Sequence, residues 1–248
     1  MKKQQKSGKD ILLYGRHPVE MALKNKRRHI LEIYAVKGDT LPAISAQIPV
    51  RSVNKEYLDN LVGRESLHQG IVARCLPLEQ PPIDDLIRHW AKTDQAVVMI
   101  LDQVSDPHNV GAILRSGAAF DLAAVIVPES GAPDESGVLD KSASGALEIV
   151  PFIRVANLAR LTQKLKEAGF WCIGLDGYAE QTINAQKLPA KCAFIMGSEG
   201  SGMRRLTREC CDYTVKLPMN PVIESLNVSN AAALTARAIA SSEAEGLP

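Results

Sequence analysis

Three short segments in the second half of the chain set amide, guanidinium and carboxylate groups among glycines, at places where an α/β core only has to close its turns. They read Asn109-Val-Gly111-Ala-Ile-Leu-Arg115, Gly197-Ser-Glu199-Gly200-Ser-Gly202, and Leu217-Pro-Met219 followed by Ser225-Leu-Asn227-Val-Ser229-Asn230. Together they offer a planar, permanently charged cation, a carboxylate acceptor, and amides that both donate and accept. Their glycines let the backbone approach a flat ligand closely. Such a set can hold an anion and stabilise negative charge as it develops on an oxygen.

Each segment follows a short apolar run: AVVMILD (96–102), CAFIMG (192–197) and YTVKL (213–217). Each should therefore lie just past the end of a strand, the edge of an open α/β sheet where ligands bind. Asp106 is suited to cap the first helix and Pro107 to begin it. Val110, Ile113, Leu114 and Gly117 then recur with helical period and form the buried face. Arg115 stands one turn beyond Gly111 on the opposite face, and the side-chain gap at Gly111 would admit a phosphate or a ribose. Plainer readings exist for each segment. Arg115 could be a surface arginine, Glu199 an incidental carboxylate in a glycine turn, and Ser225 and Asn227 helix N-caps.

The elements that must carry these segments alternate. A helix near 16–25 and strands at 30–36, 49–53 and 70–76 make a small α/β domain. The run Pro77-Leu-Glu-Gln-Pro-Pro82 favours extended geometry and marks a linker. This gives a basic tail over 1–10, a first domain over 11–78, a linker over 79–84 and a second domain over 85–248. In the second domain, strands at 96–102, 123–127, 151–155, 170–176, 192–197 and 213–217 alternate with helices from about 107, near 137–148, near 157–168, after Gly202 and from about 225 to 243. That pattern predicts a largely parallel sheet covered on both faces. The dinucleotide fingerprint G-x-G-x-x-G and the phosphate loop G-x-x-x-x-G-K-[ST] are both missing.

Net charge is only +1, but it is unevenly spread: residues 1–78 carry 14 Lys and Arg against 7 Asp and Glu, or +7, and the remainder carries −6. A basic first third fits a nucleic-acid partner, with Arg16 and the cluster Lys24, Lys26, Arg27 and Arg28 as the candidate footprint. Lys2, Lys3, Lys6 and Lys9 belong to the tail, which is expected to be disordered. The five cysteines form no C-x-x-C pair and no zinc-spaced set with histidine, so they are expected to be reduced, small core hydrophobes, and no metal is expected. Apolar runs of about six residues fall far short of the roughly 20 that cross a bilayer. The apolar stretch after the basic start is too short for a signal peptide, so a cytoplasmic chain is expected.

The order of the three segments resembles the SpoU (TrmH-like) family of RNA ribose 2′-O-methyltransferases, whose motifs are Asn…Gly…Arg, Gly-x-Glu-x-x-Gly and Ile-Pro-Met…Ser-Leu-Asn. Tyr14-Gly-Arg-His-Pro-Val-Glu-Met-Ala-Leu23 and His68-Gln-Gly-Ile-Val72 are similar to the substrate-binding domain of the subgroup that methylates guanosine in large-subunit ribosomal RNA. The resemblance implies S-adenosylmethionine as cofactor, a C-terminal trefoil knot that periodicity could not reveal, and a homodimer. It implies catalytic roles for Asn109, Arg115, Glu199, Ser225 and Asn227, and a cofactor pocket built from Gly197, Leu217, Met219 and Leu226. Arg115 would grip the phosphate beside the target ribose and steady charge on the 2′-oxygen, because a guanidinium does not act as a base. Glu199 would hold Arg115 or its neighbours in place. Lys141-Ser-Ala-Ser-Gly145-Ala-Leu-Glu148 also resembles a family stretch and is a candidate for RNA or interface contact. Departures are Leu217 for isoleucine and Pro221 where glycine is frequent, which alters the loop before Ser225. Two alternatives stay open: a transfer-RNA ribose methyltransferase, and a non-catalytic RNA-binding or ribosome-assembly factor on the same scaffold.

Overall fold

The computed structural model describes residues 10–38, 47–185, 188–220, 222–223 and 225–244. The lysines expected in the basic tail and the departure at Pro221 lie outside the described residues.

The first domain begins with β1 (Ile11–Tyr14), α1 (Arg16–Lys24), β2 (Ile30–Val36) and β3 (Val50–Val53), and continues with α2 (Lys55–Val62) and β4 (Ile71–Cys75). Its four-stranded sheet has the order β1-β4-β2-β3, with β4 antiparallel to both β1 and β2 and with β3 parallel to β2. Two elements here go beyond the periodicity reading. The stretch Ile11–Tyr14 pairs with β4 as a strand. The helix α2 is capped by Asn54, whose side chain accepts from the Tyr57 amide at 2.9 Å. Only Leu58 of α2 is fully buried, so its apolar stripe is too thin to stand out.

Residues 76–82 run on without helix or strand to α3 (Ile83–Trp90). Then follow β5 (Ala96–Leu101), α4 (Pro107–Ala119), β6 (Ala124–Pro128), α5 (Gly137–Ala143), β7 (Phe152–Val155), α6 (Leu158–Glu167), β8 (Trp171–Leu175), β9 (Lys191–Met196), α7 (Arg205–Glu209), β10 (Tyr213–Val215) and α8 (Val228–Ala244). The six strands are all parallel, in the order β10-β8-β9-β5-β6-β7.

Alternate residues of β5 serve different layers. Val97, Met99 and Leu101 pack with α4 and α8, while Ala96, Val98 and Ile100 pack with α3 and α6. Burial on both faces explains why β5 reads as an unbroken apolar run.

The helix expected near 137–148 is interrupted. Ser144 and Gly145 both adopt left-handed backbone, with φ of 53° and 82°, which ends α5 and starts a separate short 3-10 turn over Ala146–Glu148. The last helix begins at Val228 rather than near 225, because Asn227 is its cap: the Asn227 side chain accepts from the Ser229 amide at 2.9 Å.

Candidate active site

The chain runs outward from β5 through β6 to β7, then crosses back to build β8, β9 and β10 on the other side. The reversal lies between β5 and β9, so the segments after β5, β9 and β10 all leave the same carboxyl edge. A crevice at such a reversal is the usual ligand position in this architecture.

The first segment is built as its sequence suggests. Asp106 accepts from the His108 amide at 2.9 Å and Pro107 opens α4. Val110, Ile113, Leu114 and Gly117 are buried. Gly111 requires a correction. It is not an open gap: a Cβ there would stand 2.5 Å from the Ser142 Cβ, 2.7 Å from the Leu139 carbonyl and 2.8 Å from the Ala143 amide nitrogen. Helix α5 already fills the space intended for a phosphate or ribose, and the glycine serves close helix packing. Arg115 is exposed, and among the described residues no carboxylate pairs with it.

The second segment folds back on itself. Gly202 donates to the Ser198 carbonyl at 3.0 Å, with Gly200 and Gly202 in left-handed backbone at φ 86° and 67°. Any Cβ on Gly197 would fall within 2.2 Å of Gly202 and Met203 backbone atoms, so this glycine is demanded by the chain's own close approach. The turn is moored by a pair that motif reading overlooked. Asp102, fully buried just beyond β5, accepts from the Arg204 backbone amide at 2.9 Å and from its Nε at 2.7 Å. A polar residue closing the apolar run AVVMIL was the available signal.

Among the described residues no hydrogen bond or ion pair joins Glu199 to Arg115. The Glu199 Oε1 accepts from the Val228 amide at 2.8 Å, at the first turn of α8, where the helix dipole favours a carboxylate. The expectation was that Glu199 holds Arg115 or its neighbours; the hydrogen bond it makes is to the first turn of α8, next to Asn227.

The third segment brings Asn227 to the first. The Asn227 Nδ2 donates to the Asn109 Oδ1 at 3.0 Å, while the Asn227 Oδ1 accepts from both the amide and hydroxyl of Ser229, at 2.9 and 2.5 Å. With the Asn227 Oδ1 so engaged, its Nδ2 holds Asn109 by the carbonyl oxygen, which turns the Asn109 Nδ2 outward as a donor. Ser225 is exposed, and Met219 is half-buried. Leu217 and Leu226, also half-buried, pack against the apolar layer that includes Leu101, Met196 and Val215.

Asn109, Glu199 and Asn227 therefore converge at the start of α8, and Leu217 and Leu226 both pack on the apolar layer beneath α4 and α8. Arg115 stands apart. Six residues along α4 from Asn109 amount to roughly 240° of rotation, so its side chain leaves a different face.

In the first domain, Arg16, Lys24, Lys26 and Arg27 are exposed. Arg28 is not part of that surface. Its side chain is wholly enclosed, with Nη1 2.6 Å from Glu135 and Nη2 2.6 Å from Glu148. An arginine sealed between two carboxylates has no face left for RNA.

Residues 96–237 match the model of the SpoU rRNA Methylase family, and residues 12–81 match the model for RNA 2′-O ribose methyltransferase substrate binding. The chain is 41% identical over 226 residues to the 23S rRNA (guanosine-2′-O-)-methyltransferase RlmB of Escherichia coli strain K12, covering 88% of this chain and 93% of the relative. It is 39% identical to the RlmB of Vibrio cholerae over 88% of this chain and 91% of that protein. Among solved structures, the SpoU methyltransferase AviRb from Streptomyces viridochromogenes in complex with AdoMet superposes with a TM-score of 0.81, at 20% identity over 96% of this chain and 92% of AviRb. The AdoMet-bound rRNA methyltransferase from Sinorhizobium meliloti gives 0.79 at 18% identity, covering 96% and 88%. These structural likenesses establish the fold.

Proposed function

The chain belongs to the SpoU rRNA methylase family, and from that premise we propose that it is an S-adenosylmethionine-dependent methyltransferase acting on the ribose 2′-hydroxyl of a guanosine in 23S ribosomal RNA. The single observation that carries the reading is the hydrogen bond between Asn109 and Asn227, 118 residues apart, at the carboxyl edge of a parallel sheet. It supports a role for the motif residues as one assembly, here in a chain 41% identical to a named guanosine methyltransferase. Against a transfer-RNA methyltransferase or a non-catalytic factor stands the length of that similarity, which runs through both domains.

The residues present fit the cofactor. Leu217 and Leu226 make an apolar shelf for a purine, and the loop backbone after β10 supplies neutral polar groups. The nearby carboxylate of Glu199 suits a positive sulfur. When bound there with Gly197 and Met219, S-adenosylmethionine supplies a methyl group on a sulfonium, which accepts an oxygen nucleophile. Asn109, held by Asn227, has its amide hydrogens available to orient the ribose. Arg115 grips the adjacent phosphate and stabilises charge on the 2′-oxygen as that oxygen takes the methyl group and its proton passes to water. Ser225 faces the same centre. Arg16, Lys24, Lys26 and Arg27 hold RNA phosphates, which position the substrate without reading sequence.

The reading includes a homodimer. It is supported by the exposed Arg115, which leaves α4 on a face turned from Asn109 and would complete the site of a second copy. The exposed apolar residues Val222, Ile223 and Leu234 on and before α8 support the same contact. The reading also includes the C-terminal trefoil knot that the family resemblance implies. Among the described residues no helix is long and apolar enough to cross a membrane, and a ribosomal RNA substrate supports a cytoplasmic site of action.

Isothermal titration with S-adenosylmethionine and mass-spectrometric mapping of ribosomal RNA from cells with and without the protein test the proposal together. The expected result is cofactor binding and the loss of one 2′-O-methylguanosine from 23S RNA. Absence of cofactor binding, or an unchanged methylation map, would overturn it.

A further inference from the structure

Among the described residues the first domain is seated on α5 and the turn Ala146–Glu148, and the second domain has two glycines there. A Cβ on Gly137 would stand 2.2 Å from the Leu12 carbonyl and 2.6 Å from the Tyr14 ring, and one on Gly145 would stand 2.7 Å from the Met21 side chain. Both glycines are occupied by the other domain, so the fit depends on side chains being absent.

Between these points Arg28 enters a socket. Its side chain is fully enclosed, and those of its partners Glu148 and Glu135 are 1% and 11% exposed. Its Nε donates to Glu148 Oε1 at 2.8 Å and its Nη1 to the Leu76 carbonyl at 3.0 Å; the 2.6 Å approaches of Nη1 to Glu135 and Nη2 to Glu148 add ion pairing. The remaining oxygens are used as well. Asn25 donates to Glu148 Oε2 at 2.6 Å, and the Leu78 amide in the connecting segment donates to Glu135 Oε2 at 2.9 Å. Taking Arg28 away leaves two carboxylates buried without a cation, which makes the seat specific in register as well as attractive.

The other side of α5 receives Gly111 of α4, the helix that carries Asn109 and Arg115. One short helix thus touches the RNA-facing domain on one flank and the motif helix on the other.

We propose that Arg28 is a positioning residue: locked between Glu135 and Glu148, it holds the first domain in one register on α5, so that RNA gripped there presents its target ribose to the catalytic edge. The inference rests on the RNA methyltransferase reading given above. A fixed seat makes the second RNA contact effectively intramolecular once the first has formed, so its loss should weaken RNA use more than chemistry.

The test is Arg28→Met in the full chain, with three readouts: interdomain distance by fluorescence energy transfer, cofactor affinity by titration, and methyl transfer to unmodified 23S RNA. The expected result is a longer or broader interdomain distance, cofactor affinity within about twofold of wild type, and a KM for RNA raised about tenfold with kcat changed less than about threefold. Arg28→Lys, which keeps the charge, should recover part of the KM. If Arg28→Met does not fold, Asn25→Ala removes a contact to the same carboxylate and should move the first and third readouts in the same direction. A KM within twofold of wild type and an unaltered distance in a folded variant would overturn the proposal. A wild-type chain that methylates no 23S RNA, while Arg28→Met still releases the domain, would instead overturn the functional reading and leave the seat standing.

Discussion

Arg115 and Asn227 show how differently two polar residues at one site are held. Asn227 is fixed twice, as helix cap and as partner of Asn109, so its chemistry cannot be altered without disturbing α8. Arg115 is exposed and outside that network, which makes it the residue where function can be tested apart from folding. Arg115→Lys keeps a positive charge but loses the planar fork that grips phosphate through two parallel donors. The variant should melt within about 0.5 kcal/mol of wild type, as exposed substitutions do. Its turnover should fall by roughly tenfold to a hundredfold, the scale for losing one aligned donor to developing charge. Single-turnover methylation beside thermal melting checks both. Near-wild-type turnover would show that point charge is sufficient and that the bidentate role assigned to Arg115 is wrong.

At the scale of elements, α5 is clamped by close packing on two sides, and Gly111 is the point where α4 meets it. Gly111→Ala gains up to about 1 kcal/mol of helix propensity. It also drives a methyl into two backbone atoms that have no rotamer to move, and overpacking of this kind costs about 1–3 kcal/mol. The collision should win, lowering stability by about 1–2 kcal/mol and reducing methyl transfer by tilting α4; chemical denaturation and turnover measure the two effects. Gly111 marks the limit of local signals. The alternation of apolar runs, the cap at Asp106, the proline after it and the three strand-end segments are local signals, and the parallel sheet follows from them. A glycine on a helix face marks close approach by something, but only tertiary packing says whether that is a ligand or another helix. Arg28 was obscured in the same way. Three exposed basic neighbours suggest a surface patch, while its carboxylate partner Glu148 lies 120 residues away.

For the whole molecule, the seat between domains concentrates the buried charge, and it is not balanced. Arg28 faces Glu135, Glu148 and also Asp140, which is fully buried on α5 with both carboxylate oxygens lacking a hydrogen-bond partner. Burial, followed by the negative charge of Glu148 and then against the pull of Arg28, pushes the Asp140 carboxyl up to about 7, from an ordinary value of 3.8. Glu135 acts in the same direction as Glu148. The folded chain therefore retains a proton between about pH 4 and 7 that the unfolded chain has released, and stability drops as pH rises through that window. Below it Asp140 is neutral in both states and costs nothing through ionisation; above 7 the full penalty of a third carboxylate applies. Asp140→Asn removes the titration while keeping the shape. A buried, unpaired amide carries its own cost at every pH, so the informative quantity is how the difference between variant and wild type changes with pH. Between pH 5 and 8.5 the melting temperature of Asp140→Asn should rise relative to wild type by on the order of 5 °C. In parallel, the wild-type interdomain distance should broaden above pH 7 while that of the variant does not, because the extra charge falls on the surface that seats the first domain. A difference in melting temperature that stays constant across this range would mean that Asp140 is ionised in the folded chain throughout, leaving Arg28 to neutralise three carboxylates rather than two.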